Sequence, residues 1–189
     1  MAKKLYIYDE SSFYDRWQAD GRFGSDDADI CTLPASSASD VIQGLDRFLS
    51  KGMVFDRMLF QTHGDSGVIW FDNDYIEPDN WRKSFAGGGY DKLFPTYARI
   101  YFDGCDVADG DKGVEFLRAA GRVFLKGMGG EVTGWNSFGL GLPGWIPFIG
   151  GHTVHLSGHI VTIRFAPGDT EGTLEPYVAN DLVLPPLGT

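Results

Sequence analysis

Arg57-Met-Leu-Phe-Gln-Thr-His-Gly64 and its echo Ala98-Arg-Ile-Tyr-Phe-Asp-Gly-Cys105 decide how this chain reads. Each is a short apolar run that ends in glycine beside one reactive side chain, with turn-forming residues next. Each therefore reads as a buried strand that delivers chemistry at its end. In an open α/β sheet, ligands sit outside the carboxyl ends of parallel strands. If the two strands are neighbours, an imidazole and a thiol emerge on one rim.

Working outward, Gly67-Val-Ile-Trp-Phe71 returns as a strand after the turn-like Gly64-Asp-Ser-Gly67, which predicts a hairpin flap beside His63. Upstream, Lys4 to Tyr8 and Ile30 to Leu33 are β-prone. Ser36 to Asp40 supply helix-start residues for Val41, Ile42, Leu45, Phe48 and Leu49, which share one helical face, and Gly52 closes that helix. Phe13 to Asp29 shows little periodicity and reads as a long loop; Asp72 to Thr96 reads as mostly loop or short helix, with Tyr90 to Phe94 the best helical segment. Downstream, Gly113 to Lys126 has helical spacing and Glu131 to Trp135 is a strand. Val154-His-Leu and His159 to Phe165 read as a hairpin turning at Ser157-Gly158. The alternation predicts one α/β domain over 1–189. Its architecture is a three-layer sandwich with a mainly parallel central sheet, plus a C-terminal β-hairpin.

An apolar share of 43% is globular, and a formal charge of -10 opposes any sequence-independent grip on nucleic acid phosphates. Basic peptides or proteins are the better-matched partners. The first ten residues contain no continuous apolar stretch and no cleavage-site pattern, so the expectation is a cytoplasmic protein. No transmembrane segment is expected either, since even Phe138 to Ile149 is short and broken by glycine and proline. With two cysteines and no export signal, Cys31 and Cys105 read as reduced thiols, Cys31 as packing.

A cysteine nucleophile needs an imidazole to manage protons and backbone N–H groups to receive an oxyanion. His63 and Cys105 supply the first pair. Gly64 and Gly104 supply backbone freedom beside them, and a helix beginning near Gly110 to Gly113 would place its positive end near the sulfur, favouring thiolate. Asp106, directly after the cysteine, acts the other way, since a neighbouring negative charge raises a thiol pKa.

These residues resemble the caspase, gingipain, legumain and separase clan of cysteine peptidases. That clan's signature is an apolar strand ending in His-Gly followed, about forty to fifty residues later, by an apolar strand ending in cysteine. Cys105 stands 42 residues after His63. Gly104-Cys-Asp-Val-Ala-Asp-Gly110 is also similar to the Gly-Cys-Asn-Val-Ala-type segment of bacterial caspase-like domains at the head of large surface proteins. There the histidine is often preceded by serine, where this chain has Thr62. The likeness covers roughly residues 53 to 135. It implies a cysteine endopeptidase, without a cofactor, acting on a protein or peptide. Cys105 would be the nucleophile, His63 the general acid, and the N–H groups of Gly64 and Cys105 the oxyanion hole. The alternative it leaves open is a catalytically inactive caspase-like module that binds a partner or serves a structural role.

Two further residues enter as candidate substrate contacts. Asp103 alternates onto the side of Cys105 and would suit a basic P1 residue. Trp135 ends the strand whose following loop shapes the specificity pocket in the clan. The loop itself, Gly134 to Gly151, is rich in glycine and tryptophan, and its apolar part, 138–149, is a candidate contact for a protein or a membrane surface. No metal site is expected. Among His152, His155 and His159 strand alternation puts at most two on one face, and the acidic residues Asp103, Asp106, Asp109, Asp111 and Glu115 miss the calcium-loop register.

Overall fold

The computed structural model describes residues 3–12, 29–72, 74–141, 153–155 and 157–179. The expected loop at 13–28 and most of the apolar loop 138–149 lie outside them. In chain order the elements begin with β1 (Lys3–Asp9), β2 (Ile30–Ala35), α1 (Ala38–Ser50) and β3 (Phe55–Gln61). The short strands β4 (His63–Asp65), β5 (Val68–Phe71) and β6 (Asp74–Ile76) precede β7 (Ala98–Phe102), α2 (Gly110–Phe124) and β8 (Gly130–Trp135). The chain continues through β9 (Gly139–Gly141), β10 (Thr153–His155), β11 (His159–Phe165), β12 (Thr173–Leu174) and β13 (Val178–Ala179).

The result is an α/β fold around a mixed sheet in the order β12-β11-β8-β7-β3-β1-β2, with β13 also paired to β11. From β8 to β2 every neighbouring pair is parallel. The strands of the two decisive stretches, β3 and β7, are central neighbours, with Phe60 opposite Phe102. Two small antiparallel sheets stand apart from the main one, β4-β5-β6 and β9-β10.

Residues of both helices join one core. In α1, Ser37 caps the first turn by accepting the Asp40 N–H, Val41, Leu45 and Phe48 are buried, and Gly52 leaves the helix at φ +62. At the centre of the core lies Trp81, from a short helix at 78–80 that runs on as a π-helical turn to Phe85. Its ring is 5.9 Å from Phe60, 6.0 Å from Phe102, 5.8 Å from Phe116 and 5.7 Å from Phe124. One indole thus ties α2 to the two strands that carry the candidate chemistry. The sheet also carries a separate small cluster of Tyr6 and Tyr8 from β1, Leu59 from β3 and Tyr101 from β7.

One expectation is corrected here. Among the described residues the C-terminal hairpin is not formed: β10 pairs with β9, and β11 instead extends the main sheet antiparallel to β8, from Ile160 opposite Trp135 to Phe165 opposite Gly130. The reason is burial, because Val161, Ile163 and Phe165 complete the core over the exposed edge of β8, which a free-standing hairpin would leave in water. The stretch from Asp72 to Thr96 holds more regular structure than its sequence announces. There β6 closes a three-stranded flap, and Asp74 of that strand accepts the Ala38 N–H at 2.8 Å, fastening the flap to the start of α1. Among the described residues, no helix is long and apolar enough to cross a membrane.

Candidate active site

Both strands stop where glycine permits a close approach. A methyl group placed on Gly64 would lie 3.0 Å from the Cys105 carbonyl oxygen and 3.1 Å from the Gly104 Cα; one placed on Gly104 would lie 3.1 Å from the Gly64 Cα and 3.4 Å from the His63 carbonyl carbon. The His63-Gly64 and Gly104-Cys105 backbones are therefore packed directly against each other. Glycine is required at both positions by this contact between strand ends, a reason in addition to room for a substrate.

The flap fixes how the His63 segment leaves β3. With Ser66 and Gly67 as a two-residue loop, Asp65 and Val68 form the hydrogen-bonded pair, and alternation then makes Gly64 and Ile69 a non-bonded pair. The Gly64 N–H consequently turns away from β5. The loop is tied down at its tip, where the Gly67 N–H donates to the Val107 carbonyl at 3.1 Å and the Ser66 hydroxyl to the Asp109 carbonyl at 2.7 Å. His63 is exposed, while Thr62, just before it, is buried with its hydroxyl unpartnered among the described residues.

Cys105 is half-buried and free. Its sulfur faces one residue of β9: the thiol donates to the Gly139 carbonyl oxygen at 3.5 Å and accepts the Gly139 N–H at 3.4 Å. Burial pushes the thiol above its ordinary value, opposed by the Gly139 N–H and reinforced by the Asp106 and Asp103 carboxylates. The expected drive toward thiolate from the α2 N-terminus does not prevail. Asp106 follows in the left-handed region at φ +52, with its N–H donated to the Ser137 carbonyl at 3.1 Å. A non-glycine residue held at positive φ beside a candidate nucleophile is the kind of local strain that clusters at functional sites.

Asp103 and Trp135, the candidate substrate contacts, are both buried. The Asp103 carboxylate does not face an open cleft. Its Oδ1 lies 3.2 Å from Nε2 of His155, whose ring stacks on Trp135 with centroids 4.9 Å apart and an interplanar angle of 19°. The other ring nitrogen of His155 is 3.2 Å from the Ser137 carbonyl oxygen and 3.4 Å from its hydroxyl. The Trp135 Nε1 is buried without a partner among the described residues. Sequence reasoning placed His155 only in a rejected metal cluster. Its signal was a polar residue between Val154 and Leu156, in a run otherwise apolar and so in need of a buried partner. Among the described residues no group of histidine, cysteine and carboxylate side chains is arranged to hold a metal ion.

Beyond the flap a groove of about 840 Å³ opens between the hairpin and the start of α2, with Trp70, Tyr75, Asp65, Arg82 and Asp111 on its walls. Trp70 stands opposite His63 in the flap register. Neither the scan against protein-family models nor the search of curated proteins finds a match for this chain.

Proposed function

We propose that this chain is a caspase-like α/β domain, a three-layer sandwich acting as a cysteine endopeptidase on protein or peptide substrates. The observation that carries the reading is the packing of His63-Gly64 against Gly104-Cys105 at the carboxyl ends of two adjacent parallel strands. In the proposed reaction His63 takes up the thiol proton as the Cys105 sulfur attacks the scissile carbonyl carbon. The N–H groups of Gly64 and Cys105 receive the charge that develops on oxygen, and His63 protonates the departing amine as the C–N bond breaks. Water then hydrolyses the thioester and restores the thiol. The groove beside the flap would offer the exposed rings of Trp70 and Tyr75 to the substrate chain.

A second reading rests on its own observation. The thiol is raised by burial and held by Gly139, as in a catalytically silent module whose cysteine merely packs. Incubating the wild-type chain and Cys105→Ala with a proteome-derived peptide library, followed by mass spectrometry of new termini, separates the two. Cleavage at a shared residue type by the wild type alone supports the peptidase. Identical libraries after both incubations remove it in favour of the module.

A further inference from the structure

The site contains a closed circuit that a Cys-His dyad does not require. Cys105 holds Gly139 through two hydrogen bonds; Gly139 is the register partner of His155 across β9 and β10; His155 bonds Asp103; and Asp103 lies two residues before Cys105. A ribbon of two three-residue strands is too short to hold its own position in water. Its anchor is the buried Asp103-His155 bond, made by side chains that are 0% and 1% exposed. The bond joins the ribbon to the strand end that carries Cys105, and a buried hydrogen bond to a charged group is costly to break. The stack of His155 on Trp135 adds a face-to-face contact on the same anchor.

We propose that Asp103 and His155 are positioning residues that hold the β9-β10 ribbon over Cys105 as a cap, so that the resting site is occupied by the chain itself. The Gly139 backbone engages the sulfur both as acceptor and as donor. Substrate entry then requires the ribbon to lift and the Asp103-His155 bond to break or swing with it. The statement about substrate rests on the peptidase reading; the statement about the cap does not.

The test is the iodoacetamide alkylation rate of Cys105 in the full chain, resolved by peptide mass spectrometry, with Cys31 as internal reference. Each rate is followed against pH to its alkaline plateau, which reports access to the sulfur rather than its ionisation. His155→Ala and Gly139→Pro should each raise the Cys105 plateau by about tenfold with Cys31 unchanged, as expected when a local opening of modest free energy becomes the ground state. His155→Gln, which keeps a donor toward Asp103, should stay near wild type. An unchanged Cys105 plateau in Gly139→Pro overturns the cap, and this holds even if His155→Ala loosens the whole fold and accelerates Cys31 as well. Adding His63→Ala to Gly139→Pro separates the two readings: a plateau that stays raised without His63 leaves the cap standing, while a Cys105 rate at neutral pH that does not fall without His63 counts against an activated dyad.

Discussion

Phe60 and Phe102 are register partners on adjacent parallel strands, their rings stacked 4.8 Å apart at 14°, and His63 and Cys105 each stand three residues beyond them. Equal spacing from a shared rung is what brings the two reactive side chains out at the same height. Phe102 is fully buried and also meets Phe116 and Trp81. Phe102→Ala is predicted to cost about 3–5 kcal/mol, the range for removing a buried aromatic ring. Urea unfolding followed by tryptophan fluorescence measures it, and a loss below about 1 kcal/mol would show that the rung does not organise the site.

The contact between strand ends makes a second prediction. Gly104→Ala puts a methyl group 3.1 Å from the Gly64 Cα, a backbone atom that cannot swing aside as a side chain can. Overpacking of this kind costs about 1–3 kcal/mol and here must push His63 away from Cys105. Gly87→Ala is the control, since nothing lies within 4 Å of a methyl group there. Equal unfolding midpoints for the two variants would contradict the close approach.

Arg82 tests the groove. It bonds Glu115 and, at 3.1 Å, Asp79, but with 41% of its side chain exposed it is a surface pair. Arg82→Ala should change stability by less than about 1 kcal/mol, and less still at high salt. A larger loss in salt-dependent unfolding would mean that this bridge, rather than the Trp81 cluster beneath it, fixes the short helix to α2.

The parts of this molecule that were legible in its sequence are those whose signal is local. The strands β3 and β7 each show an apolar run stopped by glycine, and Val41, Leu45 and Phe48 give α1 its period. The site was half legible for the same reason: His63 and Cys105 sit at marked strand ends. Asp103 and His155 are 52 residues apart and no spacing rule joins them. Only the topology, which turns β10 back onto β9 instead of onto β11, brings that imidazole to Asp103. The competing hairpin looked equally good because β11 alternates as any half-buried strand does, and alternation does not say which neighbour a strand will take.

The last prediction concerns ionisation of the sulfur. Folding raises the Cys105 thiol above the ordinary value of 9.0, with burial as the main cause and Asp106 the stronger of two carboxylates that add to it. The folded chain therefore keeps a proton that the unfolded chain loses. Stability from this group is complete below pH 9 and falls as pH rises above it, by up to about 1.4 kcal/mol per pH unit until the folded thiol also ionises. Tyr90, whose hydroxyl donates to Asp46 at 2.8 Å, is raised by burial as well and extends the same loss at higher pH. Asp106→Asn isolates the charge, because asparagine tolerates the left-handed backbone that residue 106 adopts. Its removal should lower the thiol pKa, and alkylation of Cys105 at pH 7.5 should rise by about two- to fivefold while the alkaline plateau stays where it was. A raised plateau would instead mean that the substitution opened the site, and an unchanged profile would mean that solvent screens Asp106 from the sulfur, leaving burial and Asp103 as the causes.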